Sequence, residues 1–234
     1  MHLTTPLPTP LRWLWRDSAA VAATEFAMIL PVFLGAALWG VETANYAVAT
    51  MQISQLASHL ADDASRIGDT STLEDRKIYE SDIDDLFDGA DVQAGKRLNF
   101  FTHGRAIISS LEVVPGSTDR QYIHWQRCRG DKEQTSSYGV QGQGLDGSMA
   151  GMGPASSQVA ANPGEAVIFV EVAYDYQPLI AAQFIGHRTI HAIASFTVRD
   201  DRDLTQIYQR DPGRPDPVAD CAGADATASV GGSA

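Results

Sequence analysis

Between Ala19 and Val41 the chain carries a single charged residue, Glu25. The wholly uncharged part, Phe26 to Val41, spans about 24 Å as an α-helix, a little short of the roughly 30 Å hydrocarbon core of a bilayer. Adding residues 19–24 makes the length sufficient and places Glu25 near one interface. A transmembrane helix over residues 21–42 is therefore expected, and the rest of the chain must be arranged around it. Ahead of it, Pro6, Pro8 and Pro10 stand at alternate positions and prevent a helix. Residues 1–20 read as a loose leader that ends in an aromatic and basic patch around Arg12, Trp13, Trp15 and Arg16.

Orientation follows from the flanks. Arg12 and Arg16 precede the apolar stretch, whereas Glu42, Asp62 and Asp63 follow it before any basic residue. The positive-inside rule keeps the leader cytoplasmic and sends the remainder outward. Two other readings compete. A secretory signal peptide also joins basic residues, an apolar stretch and an A-x-A site, which Ala47-Val48-Ala49 supplies. The long apolar core, with Pro31 inside it and Glu42 against it, argues the other way. A globular core helix is disfavoured because the stretch has almost no polar face.

A carboxylate in an inserted helix costs several kcal/mol unless it is paired or sits at the edge, so Glu25 is a functional candidate. Ala36, Gly40 and Ala44 recur every four residues, the small-residue pattern that lets helices approach closely. Together they point to packing against other helices; the plainer alternative is an anchor with an interfacial Glu.

The run Val21-Ala22-Ala23-Thr24-Glu25-Phe26-Ala27-Met28-Ile29-Leu30-Pro31 resembles the N-terminal signature of TadE- and TadG-like proteins, the minor pseudopilins of Flp (tight adherence) pilus systems. In that family a Glu-Phe pair, an apolar run and a Leu-Pro step sit just inside a basic leader. The resemblance covers residues 16–67, and more loosely Trp125-Gln126-Arg127-Cys128 and Tyr174-Asp175-Tyr176-Gln177-Pro178-Leu179. It implies a single-pass protein of the bacterial inner membrane with a periplasmic domain, closer in length to TadE. Its partners would be other pilins or pseudopilins, pilus-assembly membrane proteins and a prepilin peptidase. Cleavage would fall at the Ala20–Val21 bond, leaving Glu25 fifth in the mature chain and able to pair with the new amine of a neighbouring subunit. Each charge would neutralise the other, which is cheaper than burying either alone. The family pattern has Gly before the cut where this chain has Ala20, and a methyl group there hinders the extended backbone a protease requires. Two expectations stay open: a processed pseudopilin, and an uncut, membrane-tethered assembly factor.

Beyond the span, Ala49, Ile53, Leu56, Leu60, Ala64 and Ile67 follow helical spacing on one face. Residues 43–68 thus read as an extracytoplasmic stalk that continues the same helix from Ala19 to Ile67, with a kink at Pro31 and Gly68 as its C-cap. Residues 69–210 read as an α+β domain. Ser71 to Glu74 forms an S-x-x-E capping box, opening a second helix with Ile83, Leu86 and Phe87 as anchors and Gly89 as its stop. Ala106–Val114 and Arg120–Gln126 bracket Pro115-Gly116 and predict a hairpin. Glu165–Tyr176 is apolar on both faces and predicts a central strand, with Thr189–Arg199 as its partner. Tyr138–Gly164, rich in Gly, Ser, Gln and Met, reads as a long flexible loop. Residues 211–234 read as a flexible tail, tied down only where Cys221 holds it. The fold class expected is α+β: a long transmembrane and stalk helix followed by a small antiparallel-sheet domain, a pilin-like layout.

The net charge of -12 argues against nucleic acid and strongly anionic ligands as partners. Two cysteines, Cys128 and Cys221, cannot make a structural zinc site alone, but outside the cytoplasm two suffice for one disulfide. Such a bridge would close a loop of about 90 residues, worth on the order of 4 kcal/mol by loop-closure entropy. The acids between Glu80 and Asp88 lack the order of a calcium loop and read as a solvated face. His187 and His191 would share a face only on a helix, which the strand expected there denies them. His124 lies close to Cys128 in sequence, a spacing compatible with a Cys–His dyad, though a disulfide is the stronger reading. No G-x-S-x-G, H-E-x-x-H, Walker A or G-x-G-x-x-G pattern occurs. The expectation is a non-enzymatic subunit with no cofactor, metal or catalytic residue. The alternative is a tethered extracytoplasmic enzyme or sensor domain whose anchor only supplies location.

Overall fold

The computed structural model describes residues 18–69, 75–180, 186–199 and 201–221. A long apolar N-terminal helix is followed by a small four-stranded antiparallel sheet with helices, an α+β layout. The described residues divide into two compact units: residues 18–47 with 178–180, and the remainder from residue 48 onward.

Helix α1, Ser18–Ala64, runs without interruption through Pro31. Its residues 21–41 are exposed on every side except at half-buried Leu30. Farther along, one face is buried, with Ala49, Ile53, Leu56, Ala57, Leu60, Ala61 and Ala64 in the core of the second unit. The helix ends at Ala64, short of the Ile67 and Gly68 expected. Its last carbonyls are met by a distant cation instead of a glycine cap: the Arg202 guanidinium donates to Ala64 O at 3.2 Å and Ile67 O at 2.8 Å. A side chain 138 positions away cannot be anticipated from local capping rules.

Helix α2 is Glu80–Leu98 and helix α3 is Phe100–His103. The box at Ser71 to Glu74 lies outside the described residues, and α2 begins at Glu80 rather than there. Its start is held by Asp82, whose carboxylate accepts the Tyr79 N–H at 3.0 Å. Ile83 and Phe87 are buried as expected, but Gly89 does not stop the helix. A mid-helix glycine costs only about 1 kcal/mol, and burial of Ala90 and Leu98 beyond it outweighs that. The break comes at Gly95, at φ 71°, and the end at Asn99, at φ 44°.

The sheet has the order β2-β1-β3-β4. Its strands are β1 Gly104–Val113, β2 Gln121–Arg129, β3 Ala166–Asp175 and β4 Thr189–Thr197. The hairpin across Pro115-Gly116, the central position of β3 and its pairing with β4 all follow the pattern of the sequence. Strand β2 runs three residues past the expected Gln126, because Arg127 and Arg129 find carboxylates on α2. Arg127 pairs with buried Glu80, and Arg129 meets Asp88 at 2.7 Å. On the same side Tyr174 donates from its hydroxyl to Leu98 O at 3.0 Å and stacks on Phe100. Trp125, Tyr174 and Tyr176 are all buried, as aromatic residues of a packed sheet.

Residues 138–164 depart most from expectation. They lie down on the sheet, where Met149, Met152 and Ala161 join Leu111, Ile123, Val167 and Phe169 in one apolar cluster. Tyr138 meets Phe169 edge-on at 5.3 Å. Gln121 clamps the segment by accepting the Ala161 N–H at 2.8 Å and donating to Ala161 O at 3.1 Å. Gly144, at φ 94°, lies where a Cβ would stand 2.3 Å from Gln121 O, so the close approach requires glycine there. The segment also closes the outer edge of β2, taking the Ile123 N–H onto Gln143 O at 2.9 Å.

Cys128 and Cys221 form a disulfide, and Cys128 N–H donates to Ala219 O at 2.8 Å. The start of the expected loose tail is thereby held against β2. Residues 201–208 run beside 76–79, with bridges from Arg76 to Arg202 and from Tyr79 to Tyr208.

Candidate functional site

Among the described residues one helix is long and apolar enough to cross a membrane, and it is α1. Its first half presents Phe26 at 64% exposure and Trp39 at 75%, with Met28, Val32 and Phe33 equally open. Burying apolar side chains stabilises by about 25 cal/mol per Å², so a helix that leaves this much uncovered is suited to an apolar surrounding rather than water. Hydroxyls along it turn inward on the backbone: Thr24 Oγ1 donates to Val21 O at 2.8 Å, and Thr43 Oγ1 to Trp39 O at 2.9 Å.

The assembly and helix-packing residues singled out from the sequence fall on this helix, whereas Cys128 and Cys221 lie in the second unit. Ala20 lies within α1. Val21, Glu25, Phe26 and Pro31 are exposed, as are Ala36, Gly40 and Ala44. The last three stand one above another at four-residue steps, a line of small side chains open along its length. Glu25 lies about three turns from that line, so the two features do not form one site.

Glu42, the first charge after the apolar run, was legible only as an acidic flank. It is 3% exposed, and its carboxylate accepts the backbone N–H of Leu179 at 3.1 Å and of Ile180 at 3.1 Å. Leu179 and Ile180 lie 137 and 138 positions away, and no local pattern announces them.

In the second unit, His124 of strand β2 has a carboxylate partner. The β1–β2 register slips between Ser110 and Leu111, leaving His124 as the extra residue of a bulge. The bulge aims its ring at Glu112, with Nδ1 at 3.0 Å from the carboxylate, rather than at Cys128. The hydrogen bond that the ring donates to the Glu112 carboxylate holds His124 above its ordinary value, against the opposing effect of burial. A cavity of about 270 Å³ opens beside β3 and β4, lined by Arg105, Tyr138, Glu171, His191 and Ile193 among others. Burial pushes Glu171 up, although the Ser136 hydroxyl and the Ser137 N–H both donate to it. Arg105 is buried there, and its Nε makes no hydrogen bond among the described residues. His191 sits on β4 and His187 precedes that strand, and no group of three metal-ligating side chains occurs among the described residues.

Comparison with protein-family models, with curated proteins and with solved structures finds no match to this chain.

Proposed function

We propose that the protein is a membrane-anchored, pseudopilin-like subunit or assembly factor of a Flp-type pilus, working through helix and surface contacts rather than catalysis. One observation carries the reading: residues 21–41 of α1 are apolar and, save for half-buried Leu30, exposed all round, with Glu25 their only charge. A helix of this kind needs lipid or other helices about it. The line Ala36, Gly40 and Ala44 lets a second helix approach closely, and a carboxylate near one end seeks a cation on a neighbour. The resemblance of Val21 to Pro31 to the TadE-like signature supplies the pilus. On this reading Arg12 and Arg16 stay in the cytoplasm, and the sheet unit with its disulfide lies in the periplasm.

The experiment is Glu25→Ala in a cell that builds such a pilus. Loss of pili with the variant still in the membrane fraction is the expected result. Normal piliation with the variant would contradict the assembly role.

The cavity beside Arg105, Glu171 and His191 favours a second reading, a tethered ligand-binding domain. Saturable binding of a small molecule by the full chain, lost in Arg105→Ala, together with normal piliation in Glu25→Ala, would select it.

A further inference from the structure

We infer that Leu179 and Ile180 make a second, shallow contact with the bilayer beside the point where α1 leaves it, their partner being the boundary between lipid headgroups and acyl chains. The inference rests on α1 being a membrane span and adds a lipid-facing site outside that helix.

Glu42 directly follows Val41, the last residue of the exposed apolar stretch. By accepting the N–H groups of Leu179 and Ile180, its carboxylate ties the chain after β3 to α1 at that level. A backbone N–H turned toward the bilayer without a partner would be costly, and here both are satisfied by the same carboxylate. What remains outward is apolar: Leu179 is 59% exposed and Ile180 38%. No charged residue occurs between Asp175 and His187 in the sequence, so the chain neighbours of these two residues carry no charge that would oppose entry into the interface. Trp39 and Tyr46 stand three residues before and four after Glu42, on the same side of the helix. Trp and Tyr concentrate at membrane–water boundaries, and these two mark the level of Glu42 as such a boundary. The Leu179–Ile180 segment, the carboxylate and the two aromatic rings then form a one-sided collar at the exit of α1, fixing its depth and resisting its tilt.

The test uses the full-length protein, disulfide intact, in vesicles of phosphatidylcholine and phosphatidylglycerol. Leu179→Cys, Phe33→Cys and Val140→Cys variants are each labelled with an environment-sensitive fluorophore. Vesicles contain lipids that carry a nitroxide quencher either near the headgroup or near the chain end. The expected result is a blue-shifted Leu179→Cys label, quenched more by the shallow nitroxide. The Phe33→Cys label should be quenched more by the deep one, and the Val140→Cys label by neither. Adding Glu42→Ala to Leu179→Cys should weaken the shallow quenching, because the loop loses its tether. If the Phe33 position is quenched while the Leu179 position behaves like Val140, the loop lies in water and the inference fails with the span intact. A blue shift at Leu179 without quenching would mean that protein covers it, which also overturns the proposal. An unquenched Phe33 position would remove the span and the collar together. Undiminished quenching in the Glu42→Ala background would overturn the role given to Glu42.

Discussion

The two halves of α1 are one continuous helix with opposite relations to their surroundings. Residues 21–41 are apolar on all sides and uncovered except at half-buried Leu30, whereas from Ala49 to Ala64 the apolar residues other than exposed Met51 form one buried stripe. Apolar residues that follow the helical period mark a face turned to a protein core. Apolar residues that ignore the period mark a helix whose solvent is itself apolar. The same contrast separates two carboxylates of the helix. Glu25 is exposed within the apolar half, while Glu42 is buried on two backbone N–H groups.

Exchanging the demands made on the two halves should break this contrast most sharply. Leu56→Ala, in the buried stripe, should destabilise the second unit by about 3 kcal/mol in urea unfolding of the detergent-solubilised chain. Leu34→Ala, in the exposed half, should change that unfolding by less than about 0.5 kcal/mol. Equal effects would mean that both halves are packed alike. Phe33→Arg should act the other way, raising the cost of membrane insertion by about 3 kcal/mol while leaving the urea midpoint unchanged. Partition between membrane and soluble fractions measures it.

The two carboxylates give a smaller effect. Glu42→Ala removes charge-assisted bonds worth about 2 kcal/mol, so hydrogen exchange at the Leu179 and Ile180 amides should quicken by about 30-fold. Glu25→Ala should leave those amides unchanged.

The smallest effect is confined to the sheet unit. Glu112 holds His124 above its ordinary value, so the protonated ring stabilises the fold. That stabilisation is complete below about pH 6.5, the ordinary imidazole value, and is lost as pH rises through the raised folded value. His124→Gln should therefore unfold more easily than the native chain at pH 6, and the two should converge by about pH 9. A gap that widened with pH would reverse the sign of the argument.

What could be read in the sequence divides along the same physical line. Periodicity and turn residues are local, and they reported α1, the β1–β2 hairpin, central β3 and its pairing with β4. Tertiary partners are not local, and the departures cluster where they decide. Gly and Ser made residues 138–164 look loose, yet Met149, Met152 and the Gln121 clamp hold them on the sheet. Gly89 looked like a stop, but burial on both sides carries α2 past it. Arg202 caps α1 from far away in the chain. At the candidate site, Glu25 and the small-residue line could be found by composition alone. Glu42 could not, because its meaning lies in two amides more than 130 residues distant.

The central claim is that the exposed half of α1 holds the chain in a membrane. Alkaline carbonate extraction of cells expressing the full chain, followed by intact mass of each fraction, tests it most directly. A membrane-held chain stays in the pellet and begins at Met1 or at Val21. A chain released to the supernatant that begins just after Ala49, with the exposed half of α1 removed, would contradict the claim.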